Sequence, residues 1–250
     1  MLSGEALPHK ASKSIKAVAF DLDGTLYPNY RLYCRLLPRF FIHPFFYRAF
    51  MAARHELHSG SADPQGFTKS TPSGGALSFY EKQALLMARF LGKDPEKTRI
   101  KMDRLIYRGW ERVFSRIRLF PRVKETLSAF RTAGLKLGML SDFPPVQKVS
   151  LLGLDGCFDV ILAAEETGAL KPSGIPFAIL ARELAFDPGE ILYVGNSPRF
   201  DTEGAKTAGM KAALIRRGLF STGRVKKNDT GGADFVFRDY RQLQEYVLLK

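Results

Sequence analysis

Residues 15–20 read Ile-Lys-Ala-Val-Ala-Phe and run straight into Asp21, a short apolar stretch ending in acid. A run of this length, with no polar face, is the pattern of a strand buried on both sides. Residues 29–57 are rich in Leu, Phe, Tyr and Arg and carry a helical pattern, with a break near Pro44. Ser, Gly and Pro dominate 58–75, which marks a loop or linker. Helical periodicity returns over 77–91 and 95–115.

After Pro121 the rhythm changes. An amphipathic helix over 122–133 closes on Gly134. Strands follow at 135–140, 159–163, 191–194, 211–215 and 234–237. Between and after them lie helices at 146–152, 176–184, 201–208 and 241–249. Strands that alternate with helices at this spacing imply βαβ units and a parallel sheet covered on both faces. The expected architecture is an α/β, doubly wound, mostly parallel core made of 15–27 and 121–250. An all-helical cap, 28–120, is inserted after the first strand, and 1–14 form a tail. No internal repeat is visible.

Composition narrows the functional classes. The chain has 250 residues, 45% hydrophobic and 25% charged, which is globular and excludes wholesale disorder. Its greasiest stretch, Phe40 through Tyr47, is far short of the ~20 residues that span a bilayer. Lys10, Lys13 and Lys16 are not followed by the apolar run of a secretory signal. Cys34 and Cys157 can form at most one bridge and have no zinc-site spacing, so the reading is a cytoplasmic, reducing compartment.

The formal net charge is +13, and residues 28–120 hold 17 Lys and Arg against 7 Asp and Glu. Such an excess favours anionic partners: phosphorylated substrates, nucleic acid or an acidic membrane face. No nucleic-acid recognition motif accompanies the charge. Arg104, Arg108, Arg112 and Arg116 are spaced by four, which on one helix makes a single stripe, a solvated face or an attractor for a polyanion. Phe40, Phe41, Phe45, Phe46, Tyr47 and Phe50 crowd together with Arg39, Arg48 and Arg54. The simplest reading is a packed cap helix; a pocket wall, a dimer contact or a membrane-interface patch are the alternatives.

In open α/β sheets, sites form at the carboxyl ends of strands. The first strand leads into Asp21-Leu22-Asp23-Gly24-Thr25-Leu26-Tyr27. Alternation sends Asp21 and Asp23 to one side, where two carboxylates suit a hard cation such as Mg²⁺. They also suit a division between nucleophile and general acid/base. The second strand leads into Ser141-Asp142, where a hydroxyl and backbone N–H groups can hold a phosphate oxygen or merely cap a helix. Beyond the third, Lys171 next to Pro172 either neutralises a nucleophile and phosphate or is solvated. Beyond the fourth lies Gly195-Asn196-Ser197-Pro198-Arg199-Phe200-Asp201, in which Asp201 reaches a metal at Asp21 or caps a helix.

Each weak signal falls just after an expected strand, so all four converge on one sheet edge. In this order the chain resembles the haloacid dehalogenase (HAD) superfamily, specifically its phosphatase-like members with a helical cap after the first motif. The resemblance rests on Asp21–Tyr27 and on Gly195–Met210 and covers about 15–216. It implies Mg²⁺ dependence and an aspartyl-phosphate intermediate on a small phosphorylated substrate. Asp21 matches the nucleophile and Asp23 the general acid/base. Thr25 and Ser141, with Asp142 beside it, match phosphate contacts, and Lys171 matches the stabilising lysine. The metal shell would comprise Asp21, Asp23 through its carbonyl, Asn196 and Asp201. The family usually has an acid at the position of Asn196, so this chain brings one negative charge fewer to the metal. The runner-up readings are a dehalogenase or other non-phosphatase hydrolase, and a basic nucleic-acid- or anion-binding factor on the same scaffold.

Overall fold

The computed structural model describes residues 15–59, 77–108, 110–217 and 230–249. Among them is one six-stranded sheet in the order β3-β2-β1-β4-β5-β6, with every pairing parallel. The strands are β1 (Ala17–Phe20), β2 (Lys136–Ser141), β3 (Val160–Ala163), β4 (Ile191–Gly195), β5 (Lys211–Ile215) and β6 (Phe235–Phe237). The expected doubly wound α/β core is what the chain forms.

Strand β1 sits in the middle, and all four of its residues are buried. Its alternate side chains feed two separate cores. Val18 and Phe20 join Leu127, Phe130, Leu243 and Val247 on one face. Ala17 and Ala19 join Phe177, Leu180 and Leu184 on the other. Helices covering both faces explain why β1 has no polar side. The chain runs outward through β2 and β3, then returns to β4 on the opposite flank of β1. That reversal puts a crevice at the carboxyl end of β1, where such sheets bind ligands.

Between β1 and β2 lie α1 (Asn29–Ile42), α2 (Pro44–Ser59), α3 (Phe79–Leu91), α4 (Pro95–Met102) and α5 (Glu111–Phe114). The expected break near Pro44 is present, at His43. Ser78 and Glu81 form a capping box that starts α3. Helices α2, α3 and α4 share an apolar cluster that includes Phe46, Phe50, Met87 and Met102, whereas Leu32 of α1 and Phe114 of α5 join the core on one face of the sheet. Most of the expected linker 58–75, and the 1–14 tail, lie outside the described residues.

After this insertion come α6 (Val123–Thr132), α7 (Val146–Leu151), α8 (Gly174–Leu184), α9 (Gly204–Thr207) and α10 (Tyr240–Leu248). Two expectations need correction. Residues 95–115 are not one helix: α4 passes into a π-helical turn over Asp103–Tyr107 before α5 begins. Arg104, Arg108 and Arg116 are exposed but do not lie along one helix, so the arginine stripe is not built. The segment expected to start a helix at Asp201 instead forms a π-helical turn over Pro198–Glu203 capped by Ser197, with Asp201 inside it.

Candidate active site

Phe20 pairs with Met139 on one side and Val194 on the other. This register sets Asp21 at the same level as the ends of β2 and β4, so Ser141 and Asn196 project from the same edge. Asp21 is buried, and its two carboxylate oxygens have different partners. Oδ1 accepts from Lys171 Nζ at 2.7 Å and Oδ2 from Thr25 Oγ1 at 2.8 Å. Lys171 also donates to Asp201 Oδ1 at 2.7 Å and to the Tyr193 hydroxyl at 3.3 Å. The other oxygen of Asp201 accepts from the backbone N–H groups of Asn196 and Ser197 at 3.0 and 2.9 Å. Gly195 makes this approach possible, because a Cβ there would lie 2.2 Å from that of Asp201.

Gly24 has φ +93°, which favours glycine, and a Cβ on it would stand 2.5 Å from Asn196 Nδ2. The turn after β1 therefore rests directly on Asn196. Thr25 Oγ1 lies 3.4 Å from Asn196 Oδ1, and Tyr240 supports the turn from below by donating to the Thr25 carbonyl at 2.7 Å.

Asp23 points elsewhere. Lys148 Nζ reaches both of its carboxylate oxygens at 2.7 Å, and the Tyr27 hydroxyl donates to Oδ1. Its backbone carbonyl accepts from Asn29 Nδ2 at 3.0 Å. Ser141 does not cap α7: its Oγ is buried with no hydrogen-bond partner among the described residues. Asp142 turns its carboxylate toward the Lys171 backbone N–H at 3.2 Å and toward His58 Nε2 at 3.8 Å.

The ionisation states follow from this geometry. Burial alone would lower the Lys171 pKa, but Asp201 and Asp21 outweigh it and hold the ammonium proton firmly. One ammonium cannot neutralise two carboxylates. Burial, with the Asp201 charge nearby, pushes Asp21 up to about 7 despite Lys171. For Asp23 burial acts upward too, but Lys148 and the Tyr27 hydroxyl win and hold it below the usual carboxylate range. Burial lowers His58, with Asp142 only partly opposing.

Thus the structure gathers Asp21, Thr25, Lys171 and Asp201 around one point, with Asn196 beside them and Ser141 on the same edge. It separates the Asp23 carboxylate, which is held by Lys148. Sequence reading missed Lys148 and gave Tyr27 and Tyr193 no role. Lys148 is the only lysine of α7, just past the second strand end, and that position was the available signal.

The donor set suits a hard divalent cation. When Asp21 is ionised, it and Asp201 share the single Lys171 ammonium, which leaves one negative charge uncompensated. No three His, Cys, Asp or Glu side chains converge on a preformed cage among the described residues.

A doubly wound sheet with paired aspartates after β1 and lysine and acid returning from later strands defines a hydrolase of the HAD type. Residues 15–209 match the family model described as haloacid dehalogenase-like hydrolase, and the chain belongs to that family. It is 31% identical over 240 residues to a glyceraldehyde 3-phosphate phosphatase of Methanopyrus kandleri, covering 93% of this chain and 97% of that one. It is 27% identical to a phosphoglycolate phosphatase of Salmonella paratyphi A, covering 82% and 83%. Among solved structures, the L-2-haloacid dehalogenase RSc1362 shares the fold with a TM-score of 0.59 at 22% identity, covering 94% of this chain and 99% of that one. Among the described residues no helix is long and apolar enough to cross a membrane.

Proposed function

We propose that this protein is a Mg²⁺-dependent phosphomonoester hydrolase acting on a small phosphorylated metabolite through an aspartyl-phosphate on Asp21. The observation that carries the reading is the buried Asp21 carboxylate. It is set at the sheet edge by Lys171 and Thr25, with a second carboxylate, Asp23, two residues on. The phosphatase names of the two relatives above support the choice over dehalogenation, whose link to this chain is one of fold.

In this mechanism an oxygen of Asp21 attacks phosphorus in line with the departing alkoxide, forming an acyl phosphate and breaking the P–O bond. Lys171 screens the repulsion between the two anions. The hydroxyls of Thr25 and Ser141 hold phosphate oxygens; the unpartnered Ser141 Oγ is ready for one. Asp142 acts indirectly, by accepting from the Lys171 backbone and fixing that loop. Asp23 protonates the leaving alcohol and then takes a proton from the water that cleaves the acyl phosphate. Held by Lys148, Asp23 is in its ionised, proton-accepting form; donating to the alcohol requires it to turn from Lys148 carrying a proton. Mg²⁺, held by Asp21, the Asp23 carbonyl, Asn196 and Asp201, would supply charge neutralisation at the phosphate. Residues 28–120 act as the cap that closes over this edge and selects the substrate. The free thiols of Cys34 and Cys157 fit a reducing compartment such as the cytoplasm.

The test is phosphate release from a panel of phosphorylated metabolites, with Mg²⁺ or EDTA, beside chloride release from 2-chloropropionate. Phosphate release that EDTA abolishes and Mg²⁺ restores is expected. Halide release without phosphate release would replace this reading with dehalogenation.

A further inference from the structure

Helix α1 buries one side and displays the other. Leu32 and Leu36 face the core. Tyr33 turns toward the candidate site, within electrostatic reach of Asp23 and Asp21, whereas Tyr30, Leu37 and Phe41 are exposed on the side away from the core, at i, i+7 and i+11 of one helical stripe. The stripe ends at the α1–α2 corner, where Phe41, Ile42 and Phe45 are 80%, 68% and 77% exposed. Large apolar side chains this open, and this contiguous, mark a surface meant to be covered.

The surroundings say what covers it. Residues 29–48 contain four arginines and no Asp or Glu. The corner flanks an open cleft of about 390 Å³ whose walls include Ile42, Phe45 and Phe46 and, facing them, Lys93, Lys97 and Lys101. Lys101 places its ammonium 5.0 Å from the centre of the Phe46 ring, with aromatic and basic groups interleaved. The one acid in the cleft wall, Asp94, is engaged in capping α4 through the Lys97 N–H. A second copy seated here would bring the same positive charge against itself, and like charges at close range oppose association. The segments 1–14, 60–76 and 218–229 nowhere bring more than two large apolar residues in succession, too few to cover the face.

We propose that the α1–α2 corner, with the adjoining Leu37 and Phe41 of α1, docks on an anionic lipid bilayer. Phe41, Ile42 and Phe45 enter the interfacial region, and Lys93, Lys97 and Lys101 lie at the level of the headgroups. Basic amphipathic surfaces bind in this way, by buried apolar area plus attraction to acidic lipid. Asn29, the first residue of α1, is bonded to the Asp23 carbonyl, and a helix of this length spans roughly 20 Å. Docking at the corner, the far end of α1, therefore sets the membrane roughly 20 Å along the helix from the candidate active site. The association is reversible and salt-sensitive, and it stands independently of the catalytic reading.

The test is co-sedimentation of the full chain with phosphatidylcholine vesicles that contain or lack phosphatidylglycerol. Binding is expected only with the anionic lipid. Each lysine near the surface contributes roughly fivefold, so Lys93→Gln/Lys97→Gln/Lys101→Gln should weaken partitioning about a hundredfold. Phe41→Ser and Phe45→Ser should each cost roughly tenfold. All these positions are at the surface, so the thermal midpoint should stay near wild type and separates lost docking from lost folding. Three results would overturn the proposal: no binding to anionic vesicles, equal binding by wild type and correctly folded variants, or a concentration-dependent dimer that Phe41→Ser dissociates, which would assign the face to a second copy.

Discussion

At Lys171 a single ammonium group faces two buried carboxylates, and this imbalance organises the site. It leaves Asp21 electron-rich and short of positive charge, the condition a divalent cation relieves. The residues responsible were legible in the sequence because each follows a strand that the apolar runs disclose. Lys148 lies inside α7, seven positions past the end of β2 rather than directly after a strand, so its place near the sheet edge was a weaker signal, and its link to Asp23 shows only in the fold. His58 provides a test at this scale. Its Nδ1 lies 2.7 Å from the Lys171 carbonyl, its ring lies against Phe200, and burial holds it below its ordinary pKa. The unfolded chain takes up a proton near pH 6.5, the folded one only at lower pH, so stability falls as pH drops through about 6.5. His58→Gln keeps a side-chain N–H and cannot titrate. Its thermal midpoint should decline less than that of wild type between about pH 7 and pH 5; parallel declines would remove His58 from the account.

Among the elements, the strands of the parallel core followed from short apolar runs, because a strand buried on both faces is built mainly from apolar residues; their order in the sheet came only with the fold. The inserted helices were read less well. A spacing of four is the period of an uninterrupted α-helix, but the π-helical turn at Asp103–Tyr107 adds a residue per turn and α4 ends there. The Arg104–Arg116 pattern therefore promised a stripe the fold does not make. What ties these helices to the sheet edge is a buried network. Arg54 of α2 donates to Glu165 at 3.0 Å and to Gln83 at 3.3 Å, and stands 3.9 Å from the centre of the Phe143 ring. Tyr107 also donates to Glu165, at 3.0 Å. Removing one member of a buried pair strands the other's charge, so Arg54→Ala should cost about 3 kcal/mol and lower the thermal midpoint by roughly 6–12 °C. Arg54→Met with Glu165→Met should recover much of that loss. A midpoint within about 1 °C of wild type for Arg54→Ala would show that the pair does not hold the helices to the core.

On the scale of the whole molecule, a net charge of +13 surrounds the site with a field that attracts anions. Salt screens such a field over about 10 Å at 0.1 M. For an anionic phosphate ester, kcat/KM should therefore fall with ionic strength while kcat changes little. A flat dependence would mean the field serves another partner. In the proposed mechanism the reacting group is the Asp21 carboxylate. Asp21→Asn changes one oxygen to nitrogen in the carboxylate at the centre of the site. Measured with p-nitrophenyl phosphate and Mg²⁺, the wild type should release phosphate. The variant, shown to be folded by its circular dichroism, should release none above background and trap no acid-stable phosphoenzyme. Turnover by Asp21→Asn at the wild-type rate would contradict the assignment of Asp21 as nucleophile and the mechanism built on it.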